Sequence, residues 1–128
     1  MLGRKDAVPM IAVRDLDRAS AFYTDTLGLE PVDRFGDQVV RMKSGGTLLD
    51  VYRSDFAGTN KATAVTFAVD DIDSEMRELK DKGVAFEHYD LEGLKREGDV
   101  YTAEGMKTAW FKDPDGNILS MIEEVDAS

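Results

Sequence analysis

Few side chains in this sequence are suited to nucleophilic catalysis or to binding a transition metal. The chain contains no cysteine, which excludes thiolate nucleophiles, disulfides, iron–sulfur clusters and every zinc site built on sulfur. His88 is the only imidazole, and the sequence shows no second group that would position it for acid–base chemistry. Asp113 and Asp115 flank Pro114 and precede Gly116. That pattern predicts a turn and not a pair of catalytic carboxylates.

The composition is that of an acidic globular chain. Its 128 residues are 42% apolar, and 26 acidic side chains against 16 basic ones give a formal charge of −10. This charge repels phosphate backbones, so we expect no nucleic-acid partner. Solubility explains the acidity, and attraction of a cationic ligand is the alternative. Because no stretch approaches the roughly 20 apolar residues of a membrane helix, and no hydrophobic segment follows Met1–Asp6, we expect a cytoplasmic protein without a membrane partner.

A repeat of 56 positions organises the chain. In each copy a strand end is followed by apolar residues at helical spacing, and an aspartate, Asp15 or Asp71, stands at the start of the predicted helix. Its carboxylate is placed to accept from free backbone N–H groups there. Each predicted helix ends at a glycine, Gly28 or Gly83, as expected for a left-handed cap. The two halves are therefore predicted to share one local structure.

Strand-forming segments surround both predicted helices, so each half reads as a βαβββ module. We expect one domain over residues 1–128, with modules at 7–54 and 62–125. Residues 91–107 are polar and glycine-punctuated and predict an unstructured insertion, of the kind that often forms lids or binding elements; disorder is the alternative. The predicted strands are Val8–Val13, Glu30–Arg34, Gln38–Met42 and Thr47–Arg53, then Ala64–Val69, Ala85–Tyr89, Thr108–Lys112 and Asn117–Glu123.

Three segments resemble the vicinal oxygen chelate family, which includes glyoxalase I, extradiol dioxygenases, fosfomycin resistance enzymes and bleomycin resistance proteins. They are VRDLDRASAFYTDTLGL, FAVDDIDSEMRELKDKGV and WFKDPDGNILSM, and they cover both repeats. The resemblance implies an α+β fold in which two paired βαβββ modules form a cupped mixed sheet with the helices outside. It also implies a homodimer, swapped or side by side. It does not fix the function, because the fold supports lyases, epimerases, oxygenases and binders.

The resemblance also indicates where metal-dependent relatives place their ligands. The equivalent positions are Val8 and Ala64 on the first strand of each module, and Asp50 and Ser120 on the last. Valine and alanine have no donor atom, and a serine hydroxyl is a poor ligand at neutral pH. One remaining carboxylate cannot hold a transition metal at useful affinity. We therefore expect neither a bound metal nor another cofactor.

If these positions face the cavity, strand alternation places further side chains beside them. We assign Trp110 to the cavity and Phe111 to the helix side, although Trp110 as ordinary core is the alternative. A carboxylate on an inner face needs a partner, so Asp50 should meet a cationic ligand, water or an arginine such as Arg41, and a structural ion pair is the alternative to a functional role. The predicted ligand-binding residues are Met10, Asp50, Tyr52, Thr66, Tyr101, Trp110 and Ser120.

The leading functional prediction is a small-molecule binding protein similar to bleomycin resistance proteins, which contributes to antibiotic resistance by sequestering an aromatic or cationic compound without catalysis. One alternative is a lyase or isomerase that works without a metal and uses Asp50 as its base. The other alternative is a regulatory or interaction module whose cavity is vestigial.

Overall fold

The computed structural model of the chain describes residues 1–103 and 105–124 and divides into two compact units. The first unit consists of Met1–Thr59 with Pro114–Asn117, and the second of Asn60–Asp113 with the described chain from Ile118 onward. Glu104, inside the predicted insertion, and Val125, at the predicted end of the second module, lie outside the described residues. None of the helices in the described ranges has the length and apolar content needed to cross a membrane.

The first unit has a four-stranded sheet with the order β1-β4-β3-β2. β1 is parallel to β4, and the other neighbours are antiparallel. Helix α1 continues directly into a π-helical segment, and a short 3₁₀ helix precedes the first strand. The elements are the 3₁₀ helix Leu2–Arg4, β1 (Met10–Val13), α1 (Leu16–Ala21), the π-helical segment Phe22–Thr26, β2 (Glu30–Phe35), β3 (Val39–Ser44) and β4 (Thr47–Arg53).

Local sequence accounts for the position of α1. Asp15 caps it, because the carboxylate accepts a hydrogen bond from the Arg18 N–H at 3.1 Å. The segment after α1 ends at Gly28, whose φ of +80° is the left-handed conformation expected of a terminating glycine. The covered side of the sheet is apolar, as alternation predicts. Its buried members include Ile11, Val13, Leu49 and Val51, and α1 contributes Leu16 and Ala19.

A turn from the second half of the sequence belongs to the first unit. The Arg14 N–H donates to Asp115 Oδ1 at 3.1 Å, and the Asn117 side-chain amide donates to the Ala12 carbonyl at 2.7 Å. A Cβ at Gly58 would lie 1.9 Å from the Asp115 carbonyl oxygen, so only glycine fits there. Asp115 is thus a turn residue, as predicted, and also a partner for the end of β1.

The second unit has the strand order β5-β10-β9-β8-β7, and β6 also pairs with β9. β5 is parallel to β10, and the other pairs are antiparallel. One helix packs against β9 and β10. The elements are β5 (Thr63–Ala68), α2 (Ile72–Asp81), β6 (Phe86–Glu87), β7 (Lys95–Glu97), β8 (Val100–Ala103), β9 (Met106–Lys112) and β10 (Ile118–Glu124).

Helix α2 repeats the capping found in α1. Asp71 accepts from the Ser74 N–H at 3.2 Å, and Gly83 has a φ of +89° after the helix. Its predicted apolar stripe is buried and consists of Ile72, Met76 and Leu79. Phe111, assigned from the sequence to the helix side, is buried as well. The first module therefore has the predicted βαβββ order, and the second has the same order with two further strands, β7 and β8, between β6 and β9.

The prediction of an unstructured insertion at residues 91–107 is wrong. Strands β7 and β8 form a hairpin there with a tight turn at Gly98 and Asp99. The predicted strand Ala85–Tyr89 shortens to Phe86–Glu87, which pairs with one end of β9, while β8 pairs with the other end. This arrangement supplies hydrogen-bond partners along the edge of β9. The sequence hid the hairpin because β7 is a fully polar edge strand without apolar alternation.

Candidate functional site

Asp50 lies on the open face of the first sheet, the face turned away from α1. In register it stands between Met10 on β1 and Arg41 on β3. Only 6% of the residue is exposed. Arg41 Nε lies 2.8 Å from Asp50 Oδ1, and Nη2 lies 3.1 Å from Oδ2. This is a bidentate ion pair, and its hydrogen bond raises the pKa of Arg41 above the ordinary arginine value.

The pairing limits what Asp50 can do. Both of its carboxylate oxygens accept hydrogen bonds from one guanidinium, so a cationic ligand would have to displace Arg41. Of the partners that the sequence left open, the structure supplies the arginine. The surrounding open face is apolar: Met10 is exposed, Tyr52 is half-buried, and the Phe35 ring centre lies 5.2 Å from Arg41 Cζ.

The residues at the family's metal-ligand positions do not fit a divalent metal. Val8 and Ala64 offer no donor atom. The Ser120 hydroxyl is hydrogen-bonded to the Thr66 hydroxyl at 2.7 Å, and the Asp50 carboxylate is paired with a guanidinium. Within residues 1–103 and 105–124, no three His, Cys, Asp or Glu side chains form a group that could hold a metal ion. Zinc, iron or nickel needs three or four such donors around one point.

The open face of the second sheet presents a strip of small side chains beside an indole. Ser120 on β10 stands in register between Thr66 on β5 and Trp110 on β9. Ala64, Thr66 and Ala68 are exposed, and Ser120 is buried between larger neighbours. We call the strip formed by these four residues the trough. Trp110 is half-buried beside it, and its side chain is the one that the sequence assigned to a cavity.

Two tyrosines fix the indole of Trp110. Its ring centre lies 5.1 Å from that of Tyr101 and 5.8 Å from that of Tyr89, and both contacts are edge-to-face. The indole N–H donates to Thr63 Oγ1 at 3.1 Å. Tyr101 is buried, and its hydroxyl donates to the Tyr89 carbonyl at 2.9 Å while accepting from the Tyr89 N–H. We call Tyr89, Tyr101 and Trp110 the aromatic cluster.

An ionic cluster holds the hairpin turn beside these rings. Asp99 in the turn lies 2.7 Å from Lys80 Nζ of α2 and 2.5 Å from His88 Nε2. Hydrogen bonds from Lys80 and then His88 hold the pKa of Asp99 below its ordinary value. His88 Nδ1 also faces Arg96 Nη1 at 3.3 Å. Both ring nitrogens are therefore engaged, which favours a structural role for His88 over a catalytic one.

The structure places the predicted ligand-binding residues in two groups, one on each sheet. The first sheet carries Met10, Asp50 and Tyr52, and the second carries Thr66, Tyr101, Trp110 and Ser120. Sequence reasoning missed Tyr89 and Asp99. Tyr89 was the last residue of a predicted strand, and Asp99 lay in the predicted insertion. The local sequence around each residue therefore gave no indication of the residue to which it is hydrogen-bonded. The hydrogen bonds that involve Tyr89 and Asp99 join residues that are 11 or more positions apart in the sequence.

A family model matches most of the chain. The matching model is the Glyoxalase/Bleomycin resistance protein/Dioxygenase superfamily, over residues 7–121. No curated protein sequence matches.

Several solved structures share the fold. Lactoylglutathione lyase from Agrobacterium tumefaciens has a TM-score of 0.69 and 22% identity, with 93% of each chain covered. A glyoxalase/bleomycin resistance protein/dioxygenase from Alicyclobacillus acidocaldarius has a TM-score of 0.71 and 24% identity, covering 96% of this chain and 93% of that one. TnmS3, an antibiotic binding protein from Streptomyces sp. CB03234, has a TM-score of 0.63 and 22% identity, covering 94% and 98%. At these identities the likeness establishes the fold alone.

Proposed function

This chain belongs to the glyoxalase/bleomycin resistance protein/dioxygenase superfamily, and we propose that it is a non-catalytic binding protein that holds a small aromatic molecule on the open face of its second sheet. The observation that carries the proposal is the half-buried indole of Trp110 beside the trough. An aromatic ring laid on the small side chains would contact the indole, and the Thr66 and Ser120 hydroxyls would offer hydrogen bonds. Apolar walls with few polar anchors are typical of small-molecule sites.

The contacts of Asp50 favour an aromatic ligand over a cationic one. The sequence left both classes open, and the cationic class depended on a free carboxylate. Because both oxygens of Asp50 accept from Arg41, that carboxylate is already neutralised by a partner. The same pair weakens the case for Asp50 as the base of a lyase or isomerase, since a general base must be able to take up a proton.

The biological role that we propose is sequestration of an aromatic antibiotic or a similar compound. The antibiotic binding protein among the structural neighbours supports this role by analogy of fold. We also propose a homodimer, on the resemblance to the family, and a cytoplasmic location, with which the lack of cysteine agrees.

A thermal-shift screen with soluble bicyclic and tricyclic aromatic compounds tests the proposal. A ligand at one hundred times its Kd stabilises the native state by about 2.7 kcal/mol, so a true ligand raises the melting temperature measurably. Ala64→Phe should abolish the shift by filling the trough. Ala62→Phe is the matched control, because it adds the same ring at an exposed position just before β5. A wild-type protein that no compound stabilises, or a shift that survives Ala64→Phe, would contradict the proposal.

A further inference from the structure

The hydroxyl group of Tyr89 forms no hydrogen bond with the described part of the protein. Its hydroxyl oxygen is buried and has no partner among residues 1–103 and 105–124. Buried polar groups in native proteins nearly always have a partner, so each exception needs an explanation. A functional explanation is that a ligand supplies the missing partner.

The place of Tyr89 makes a ligand the natural partner. Its ring stands edge-on to Trp110, the residue that carries the proposed site. The Tyr101 hydroxyl is hydrogen-bonded to both the backbone N–H and the carbonyl of Tyr89. Asp99 is hydrogen-bonded to the side chain of the preceding residue, His88. The backbone of Tyr89 is thus fixed, while its side chain is only partly buried.

The chemistry of this hydroxyl defines what it can bind. Burial, with a smaller contribution from Glu87, raises the pKa of Tyr89 above the ordinary tyrosine value. The group therefore stays protonated at neutral pH and acts as a hydrogen-bond donor. Its complement is an acceptor oxygen, such as a ketone, ester or ether.

We propose that Tyr89 is a specificity-determining residue that selects aromatic ligands carrying an acceptor oxygen over their oxygen-free analogues. The proposal rests on the proposed function, since it concerns the same site beside Trp110. A turn of the Tyr89 side chain brings its O–H to the ligand oxygen, and the hydrogen bond that the apo protein lacks is then formed. A donor left unsatisfied by the wrong ligand is the usual source of such discrimination.

Two probes of the same shape test this selectivity. Fluorenone and fluorene share one ring system, and only fluorenone has a carbonyl. Because Trp110 is the only tryptophan, quenching of its fluorescence reports binding to the proposed site. Wild type should bind fluorenone roughly fivefold more tightly than fluorene, which is the equivalent of about 1 kcal/mol for one neutral hydrogen bond. Tyr89→Phe should bring the ratio of the two Kd values to about one without changing the Kd of fluorene. Tyr23→Phe, in the π-helical segment of the first unit, should leave the wild-type ratio intact.

The results separate the two proposals. Equal affinity for both probes in wild type, or a preference that survives Tyr89→Phe, overturns the role of Tyr89 while the proposed function stands. No binding of either probe, when no other aromatic compound binds, overturns the proposed function and this inference with it. If other aromatic compounds bind and these two do not, the selectivity for an acceptor oxygen is overturned alone. A ligand-free measurement adds a further condition: Tyr89→Phe should melt no lower than wild type, and a clearly lower melting temperature would mean that the hydroxyl has a partner within the protein.

Discussion

Replacing Tyr101 by phenylalanine tests how the aromatic cluster is held. The substitution keeps the buried ring and removes only the hydroxyl, which donates to the Tyr89 carbonyl and accepts from the Tyr89 N–H. Both backbone groups then lose their partner. An unsatisfied buried donor or acceptor costs about 1–3 kcal/mol, and we take the lower value because Tyr89 is only partly buried. The expected loss for two groups is therefore about 2 kcal/mol.

The loss should be visible as a shift in melting temperature. With about 2.1 cal/mol/K of unfolding entropy per residue, a chain of 128 residues loses about 4 °C for each kcal/mol. Tyr101→Phe should thus melt roughly 8 °C below wild type when followed by far-UV circular dichroism. The aromatic circular dichroism of the folded variant should also change, because Tyr89 is no longer held edge-on to Trp110.

Tyr89→Phe is the matched control for this experiment. It makes the same chemical change one contact away, on a hydroxyl that forms no hydrogen bond within residues 1–103 and 105–124. The reasoning predicts a large difference between two identical substitutions. Equal melting temperatures for wild type and Tyr101→Phe would refute it, since the two hydrogen bonds would then contribute nothing.

Two further predictions concern the charged clusters. Arg41→Met should lower the stability to urea more than Asp50→Asn does, because it leaves the buried carboxylate of Asp50 without its partner. The double variant should recover part of this loss. Equal effects of the two single substitutions would contradict the prediction. Lys80 and His88 lower the pKa of Asp99 in the folded protein. The ionised Asp99 therefore stabilises the fold at pH values above the ordinary carboxyl pKa of about 4, and this stabilisation is lost as the pH falls through the pKa of Asp99 in the folded state. Wild type should therefore lose stability more steeply than Asp99→Asn between about pH 5 and pH 2, while Glu97→Gln, in the same hairpin, should follow wild type.

The sequence by itself determined the features that depend on neighbouring residues. Asp15 and Asp71 cap their helices, and Gly28 and Gly83 take the left-handed conformation after them. These interactions span only a few residues, so composition and spacing are enough to predict them. Strand alternation likewise separated the buried Phe111 from the half-buried Trp110 beside it.

Only the tertiary structure decided what surrounds the candidate site. The hairpin of β7 and β8, at residues 95–103, forms because β9 offers an edge with unpaired backbone groups, which is a property of the folded sheet and not of the polar sequence of β7. The same hairpin brings Tyr101 to Tyr89 and Asp99 to His88. The local sequence of one segment does not predict such contacts with the other segment, because strand register and packing decide which side chains become neighbours.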